Sequence, residues 1–368
     1  MITLPKIVVF GATGYTGRLT AEVLLSLGMS PLLAARNPTA LRTLADELGG
    51  ADTAVADVSD PASVRALLDR GDVLITTVGP FLRYGGPALA AALDAGAHYF
   101  DSTGEGPFIR TVFEHDEQAR QAGVGLLSGF GFDYVPGNLA GALALRDAPD
   151  AVRVDIGYFI DTPGTSGGTR ASVAGMLFER GFALRGGDVV PVRTGERIHT
   201  FDVEGHARTG ASIPGSEHFA LRRSYPNLRE ADVYLGLPAA VVARGFQLTS
   251  LITDATARVA PVEQLAEKAL HSLVKGSTGG PSTSARSRNR TWAVAEARDN
   301  AGRVLSSITL AGGDPYDFTA ATLAWGAQTA LDGGLRGTGA LGPIDAFGLD
   351  AVSAAAFDAG FAVTASGR

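Results

Sequence analysis

Hydrophobic and polar positions alternate in blocks along the first third of the chain. An apolar run over Ile7–Phe10 gives way to a turn with glycine at positions 11, 14 and 17, after which Leu19, Val23 and Leu24 recur at helical spacing. That pattern predicts strand, tight turn and helix. The rhythm then repeats: residues 31–36, 52–60, 72–79, 98–103 and 124–129 read as short strands, and 40–48, 61–70, 86–96 and 108–123 as the helices between them. Strands and helices alternating at this spacing require right-handed crossovers and hence a parallel, doubly wound sheet.

From about residue 134 the periods lengthen. Residues 152–160, 198–203 and 218–225 predict half-exposed strands, 170–184 a helix and 239–274 two helices. A polar, Gly/Ser-rich loop follows at 275–290, and 291–310 predicts a hairpin turning at Asn300–Gly302. This mixture is expected of an α+β unit.

Composition narrows the function classes. With 368 residues the chain is long enough for about two domains with full cores. A net charge of -7 and the lack of a basic run argue against a nucleic-acid surface. The sequence has no cysteine, which removes disulfides, thiolate metal sites and cysteine nucleophiles together. Its six histidines, at 98, 115, 199, 206, 218 and 271, show no ligand spacing, so no metal is expected. The longest uncharged stretch, Phe318 to Leu331, falls short of the ~20 residues that span a bilayer, and the glycine turn interrupts the N-terminal apolar run too early for a secretory leader. A soluble, cytoplasmic protein is the expectation.

The glycine turn points to a dinucleotide. Glycines at such spacing permit a tight turn, close backbone approach to a pyrophosphate at a helix N-terminus, and close helix-on-strand packing. Gly11, Thr13, Gly14, Tyr15, Thr16 and Gly17 are the expected cradle. Arg36 stands at the tip of the second strand, 19 positions after Gly17, where an acidic residue would read a ribose hydroxyl and an arginine a 2′-phosphate. NADP(H) is therefore expected over NAD(H). Val78, Gly79 and Pro80, at the fourth strand's end, and Ser102, at the fifth, complete the expected cofactor contacts. Missing residues separate the dehydrogenase classes. The three lysines, Lys6, Lys268 and Lys275, have Ile2, Gln264 and His271 four positions before them, so no Tyr-x-x-x-Lys couple exists. Without cysteine no thioester intermediate can form, which leaves direct hydride transfer.

Residues 78–105 (VGPFLRYGGPALAAALDAGAHYFDSTGE) followed by 129–141 (GFGFDYVPGNLAG) resemble the saccharopine dehydrogenase-like oxidoreductases, including their trans-acting enoyl reductase branch. Downstream, 166–175, 295–302, 314–324 and 337–348 are similar to the same family. The resemblance implies an NADP-binding Rossmann domain, an α+β domain forming the substrate cleft, and a homodimer. Gly86, Tyr134 and Asn138 depart from the family's usual residues, which bears on substrate rather than fold.

The expected fold class is thus α/β, a doubly wound Rossmann NADP-binding domain over 1–133 followed by an α+β substrate or dimerisation domain over 134–368, whose helices from about 316 pack back on the first. Tyr134 is the candidate proton donor and Asp133 its orienting partner, just past a strand end. Both also have structural readings, Asp133 as a helix cap and Tyr134 as a packing ring. Arg83, Tyr84, Glu105, Thr169 and Arg170 are candidate substrate contacts, with Gly167 and Gly168 offering backbone donors beside Thr169. The apolar stretch Val233 to Ala243 suits a substrate channel, an interface or interior packing. The expected activity is an NADPH-dependent reductase acting on a C=C or C=O bond of a hydrophobic, carrier-linked acyl or polyketide-like metabolite. Two alternatives stand beside it: an imine reductase or dehydrogenase of amino-acid-like substrates, and a non-catalytic NADP-sensing regulator.

Overall fold

The computed structural model describes residues 4–161, 180–237 and 279–367. Its first half lays down β1 (Ile7–Phe10), β2 (Leu32–Ala35), β3 (Thr53–Val55), β4 (Val73–Thr76), β5 (His98–Asp101) and β6 (Gly125–Leu127). Between them run α1 (Tyr15–Ser26), α2 (Pro38–Glu47), α3 (Pro61–Arg65), α4 (Phe81–Tyr84), α5 (Gly86–Ala95), α6 (Gly106–Glu114) and α7 (Asp116–Ala122), and α8 (Val135–Asp147) follows β6. The second half contributes β7 (Arg153–Asp161), β8 (Arg180–Arg185), β9 (Asp188–Arg193), β10 (Ile198–Val203), β11 (His206–Ile213), α9 (Glu217–Ser224), β12 (Glu230–Gly236), α10 (Thr283–Arg286), β13 (Arg290–Arg298) and β14 (Val304–Gly312). The chain closes with α11 (Pro315–Leu331), β15 (Gly339–Ala340), α12 (Pro343–Phe347), α13 (Leu349–Asp358) and β16 (Ala362–Gly367).

A seven-stranded parallel sheet runs in the order β15-β6-β5-β4-β1-β2-β3. Strand order reverses between β1 and β4, so the ligand crevice of such a sheet lies at their carboxyl ends. Successive residues alternate between two apolar layers: Val9, Ile75 and Phe100 enter one core, Val8, Leu74 and Tyr99 the other. Burial on both faces explains why these strands read as continuous apolar runs. Helix starts are written locally as well. Asn37 accepts the N–H groups of Thr39 and Ala40 before α2, and Asp314 those of Tyr316 and Asp317 before α11, each followed by proline at the first helical position.

The second sheet has nine strands, with β10-β11-β12-β7-β13-β14-β16 in order and the β8–β9 hairpin joined through β12. Among the described residues of this sheet, only β12 and β7 pair in parallel. Helix α8 packs on β7, β13 and β14, while α11 returns to α1 and to β1, β4 and β5 of the first sheet.

Several elements differ from the sequence pattern. Residues 218–225, a strand by their alternation, form α9, because the buried set Glu217, His218, Ala220 and Leu221 follows helical spacing behind Ser216 at the N-cap. The helix expected over 170–184 is strand from Arg180 onward, and its earlier part lies outside the described residues, as do the helices expected over 239–274. The β8–β9 hairpin turns on Gly186 and Gly187, which both take positive φ, as a two-residue hairpin loop demands. The helix expected over 108–123 divides at His115 into α6 and α7.

Candidate active site

The carboxyl ends of β1, β4, β5 and β6 carry the glycine turn, residues 77–84, residues 102–105 and residues 128–134, and hydrogen bonds tie these segments to one edge. Gly11 takes φ +91, and a Cβ there would lie 2.7 Å from Thr77 Oγ1. At Gly17 a Cβ would stand 2.3 Å from the Gly11 carbonyl oxygen, and at Gly14 3.1 Å from the same atom. That carbonyl accepts the Gly14 N–H and the Thr77 hydroxyl. The turn therefore closes only with glycine at the first and third positions, and it leaves Thr13 and Gly14 exposed at the start of α1. A helix N-terminus with exposed backbone at this place is what a diphosphate requires. Thr77, at the fourth strand's end but not among the expected cofactor contacts, fixes the turn.

Tyr15 and Thr16 are half-buried. The Tyr15 hydroxyl donates to the Pro281 carbonyl and accepts from Arg286 Nη1 at 2.7 Å, while its ring meets the Tyr316 ring edge-on at 5.1 Å. Its side chain thus serves contact with the 281–286 segment and α11, leaving its backbone to the turn. Arg36 is exposed at the end of β2. No carboxylate adjoins it along the chain, but the fold brings Asp57 within electrostatic range. Asp57 is held below its ordinary carboxylate range first by the Ser59 backbone and hydroxyl and also by the Arg36 charge.

Val78 and Pro80 are half-buried and Gly79 exposed after β4, with the Gly79–Pro80 bond cis. Arg83 is exposed on α4, its guanidinium 5.1 Å from the Tyr84 ring centre. Glu105 is buried and its two carboxylate oxygens accept the N–H groups of Phe81 and Leu82 at 2.9 and 3.0 Å. Expected as a substrate contact, Glu105 instead spends both oxygens on starting α4. Asp101 is likewise internal: it accepts from Thr103 N–H, Gly129 N–H and Ser128 Oγ, and burial pushes its pKa up to about 6. Ser102, between these groups, is half-buried at the same edge. Thr169 and Arg170 lie outside the described residues.

Of the adjacent pair, Tyr134 is buried and Asp133 exposed. The Tyr134 hydroxyl is directed at the carbonyl oxygens of Gly104 (2.9 Å) and Pro214 (3.1 Å), and the residue is only 1% exposed. Burial raises its pKa well above the usual value. A hydroxyl turned to two main-chain acceptors and shut from solvent is a clasp between the β5 end and the segment before α9, so it corrects the expectation of a Tyr134 proton donor. Asp133 is exposed as a residue, while desolvation by surrounding protein pushes its pKa up to about 6. Both properties suit a side chain at the floor of a concave edge, reached by water but enclosed in most directions. No side-chain cap bond begins α8, so Asp133 is not acting as its cap.

Arg222 donates to the Gly187 carbonyl, and Arg223 to the Ala340 carbonyl with Asp116 beside it. Both guanidinium groups thus donate to main-chain carbonyls. The structure also gathers Asp155, His199 and Glu296, whose ligand atoms lie within 4.8 Å of one another. Histidine spacing carries no sign of this cluster. Its carboxylates already pair with Arg153, Arg298 and His199, which accounts for it as an ion-pair network. No described helix is long and apolar enough to cross a membrane.

Residues 7–127 match the family model described as the saccharopine dehydrogenase NADP-binding domain. A Mycobacterium tuberculosis protein provisionally named a trans-acting enoyl reductase is 36% identical over 189 residues, covering 46% of this chain and 44% of that one. The trans-acting enoyl reductases of Mycobacterium ulcerans and Mycobacterium bovis are 39% and 41% identical over 141 and 140 residues, which is 36% of this chain and 34% of theirs. The matched segments span less than half of these relatives' own lengths. Among solved structures, the Citrobacter sp. triphenylmethane reductase complexed with NADP(H) aligns over 40% of this chain and 57% of that one, with 22% identity and a TM-score of 0.29, which carries no argument about function. Residues 7–127 are thus similar to the saccharopine dehydrogenase NADP-binding domain, and the fold there is that of an NADP-binding domain.

Proposed function

We propose that this chain is an NADPH-dependent reductase whose Asp133 supplies the proton that accompanies hydride addition to a polarised double bond. The observation that carries the reading is Asp133, an exposed residue at the carboxyl edge of the sheet whose pKa is pushed up to about 6 by desolvation. A carboxyl tuned toward the working pH suits general acid catalysis. The residues fit NADP(H): Gly11, Gly14 and Gly17 leave the space a diphosphate needs at the start of α1, and Arg36 is exposed where a 2′-phosphate would lie. When bound, the reduced nicotinamide supplies the hydride. Asp133 then gives its proton to the anion left on the acceptor and is reprotonated by water, so charge and atoms balance.

The acceptor proposed is a conjugated C=C or a C=O on a hydrophobic acyl or polyketide-like metabolite presented on a carrier, a reading supported by the names of the mycobacterial relatives. The commitment of Arg222 and Arg223 to other partners weighs against an amino-acid imine, which needs cations converging on carboxylates. A cytoplasmic homodimer completes the proposal, and light scattering tests the dimer. For the activity, NADPH oxidation is followed with an enoyl thioester, a ketone and an imine as acceptors. Oxidation is expected with the thioester or ketone, and Asp133→Asn is expected to lower kcat by roughly 10²- to 10⁴-fold. Full turnover in that variant would remove the proton-donor role. NADPH binding without oxidation of any acceptor would favour the regulator.

A further inference from the structure

Behind Asp133 lies a buried polar cluster that the reaction does not touch. Glu217, the first residue of α9, is fully buried, as are Asn138 and His218, with Tyr158, Tyr134 and Ser216 nearly so. Tyr158 Oη lies 2.6 Å from Glu217 Oε1, 3.1 Å from the Tyr134 carbonyl oxygen and 2.9 Å from the Gly137 nitrogen, whose N–H it accepts. Asn138 Nδ2 donates to the same Tyr134 carbonyl and to Ser216 Oγ, each at 3.0 Å. Glu217 Oε2 has no partner.

Tyr158 has one hydroxyl hydrogen and two acceptors in reach. If Glu217 is ionised, that hydrogen goes to the carboxylate, and Tyr158 no longer holds the Tyr134 carbonyl. If Glu217 is a neutral acid, its own O–H donates to Tyr158 Oη, and Tyr158 donates to the Tyr134 carbonyl. The second arrangement uses both short contacts and leaves no bare charge in the interior. The close fit allows little else: a Cβ on Gly137 would lie 2.0 Å from Tyr158 Oη, and one on Gly215 2.4 Å from Glu217 Oε2.

We propose that Glu217 is a positioning residue that acts as a neutral acid, and that through Tyr158 it pins the Tyr134 carbonyl and so holds Asp133 in place at the cofactor edge. This rests on the reading of Asp133 as the proton donor. Burial, with the Asp133 charge adding to it, pushes the Glu217 pKa up to about 8, in the direction the geometry requires. The groups facing the cluster are Asp133 and Tyr134 at the start of α8 and Tyr158 on β7, with Glu105 acting on Tyr134. His218, next along α9, is kept neutral by burial and feels Asp232 of β12 and Arg185 of β8, while Asp345 of α12 engages Ser224 at the far end of α9.

The test is an infrared pH titration of the full-length chain without acceptor, the Asp133 carboxyl band being assigned by its loss in Asp133→Asn. In the wild type that band titrates at about 6, and a second band, absent in Glu217→Gln, persists until the pH rises through about 8. Glu217→Gln keeps a donor toward Tyr158 and is expected to leave the Asp133 midpoint within a few tenths of a unit. Tyr158→Phe removes one of the donors on the Tyr134 carbonyl, leaving the Asn138 backbone N–H and Nδ2, and is expected to lower that midpoint by about one unit, toward the ordinary carboxylate value. A Glu217→Gln midpoint that falls as far as that of Tyr158→Phe overturns the proposal, because a charge and not a donor is then at work. An unmoved midpoint in Tyr158→Phe overturns it too. Where Tyr158→Phe fails to fold, the wild-type Glu217 band decides, its disappearance within the ordinary carboxylate range overturning the neutral acid. The titration needs no turnover, so its result stands whether or not the chain proves to be a reductase.

Discussion

Replacing Gly17 by alanine tests the cradle at its tightest point. The added methyl would sit 2.3 Å from the Gly11 carbonyl oxygen, 2.8 Å from Thr77 Oγ1 and 2.9 Å from the Gly11 carbonyl carbon. Backbone atoms cannot rotate away as a side chain can, so α1 or the turn must shift by about 1 Å to reach ordinary contact. Overpacking of this kind costs about 1–3 kcal/mol, against which alanine gains about 1 kcal/mol over glycine in a helix. Net stability should therefore fall by no more than about 2 kcal/mol. Cofactor binding should suffer more. The displaced backbone is the part that meets the diphosphate, and loss of one charge-assisted hydrogen bond, about 1.5–3 kcal/mol, weakens binding roughly 10- to 100-fold. Fluorescence titration with NADPH and a thermal melt on the same sample separate the two effects. Gly86→Ala is the control, since nothing lies within 4 Å of a Cβ at that position. NADPH affinity within twofold of wild type in Gly17→Ala would falsify the claim that this turn holds the cofactor.

Other consequences concern the buried groups beside the site. Tyr134→Phe removes the clasp to the Gly104 and Pro214 carbonyls and should lower stability by about 1–2 kcal/mol in denaturant titration; an unchanged midpoint would contradict the clasp. Because the Glu217 pKa is raised in the folded chain, its contribution is full below the ordinary carboxylate range and is lost as pH rises toward about 8. Stability should thus fall by about 2 kcal/mol between pH 6.5 and 8, and the fall should vanish in Glu217→Gln. His218 has the opposite sign: its pKa is depressed to about 4, so below its ordinary value it favours the unfolded chain. An acid-side loss between about pH 6.5 and 4 that is smaller in His218→Asn is the expected result.

Most of the first sheet is legible in the sequence because β1, β4, β5 and β6 are buried on both faces and its turns are punctuated by glycine and proline, whereas the two-residue edge strand β15, far downstream of β6, has no such signal. The second sheet is less so. Residues 217–224 combine His218, Phe219, Ala220 and Leu221 in a run that alternation and helical spacing describe equally well, and packing against α8 decides between them. The site divides along the same line. The glycines and Arg36 can be placed because their roles follow from backbone geometry at one turn. The direction of the Tyr134 hydroxyl depends on Pro214, 80 residues downstream, and the state of Glu217 on Tyr158, 59 residues upstream. No local pattern encodes such pairings. In the sequence Asn138 stands out only as a departure from a family pattern, and its work in holding the Tyr134 carbonyl emerges from the fold.

Titrating the purified chain and Arg36→Ala with NADPH and with NADH, while following cofactor fluorescence, tests most directly whether the turn is an NADP(H) cradle read by Arg36. An exposed guanidinium on a 2′-phosphate should contribute about 1.5 kcal/mol or somewhat more. The wild type should therefore prefer NADPH roughly tenfold or better, and Arg36→Ala should lose that preference with its NADH affinity unaltered. Equal affinities for the two nucleotides in the wild type, or a preference that survives in Arg36→Ala, would contradict it.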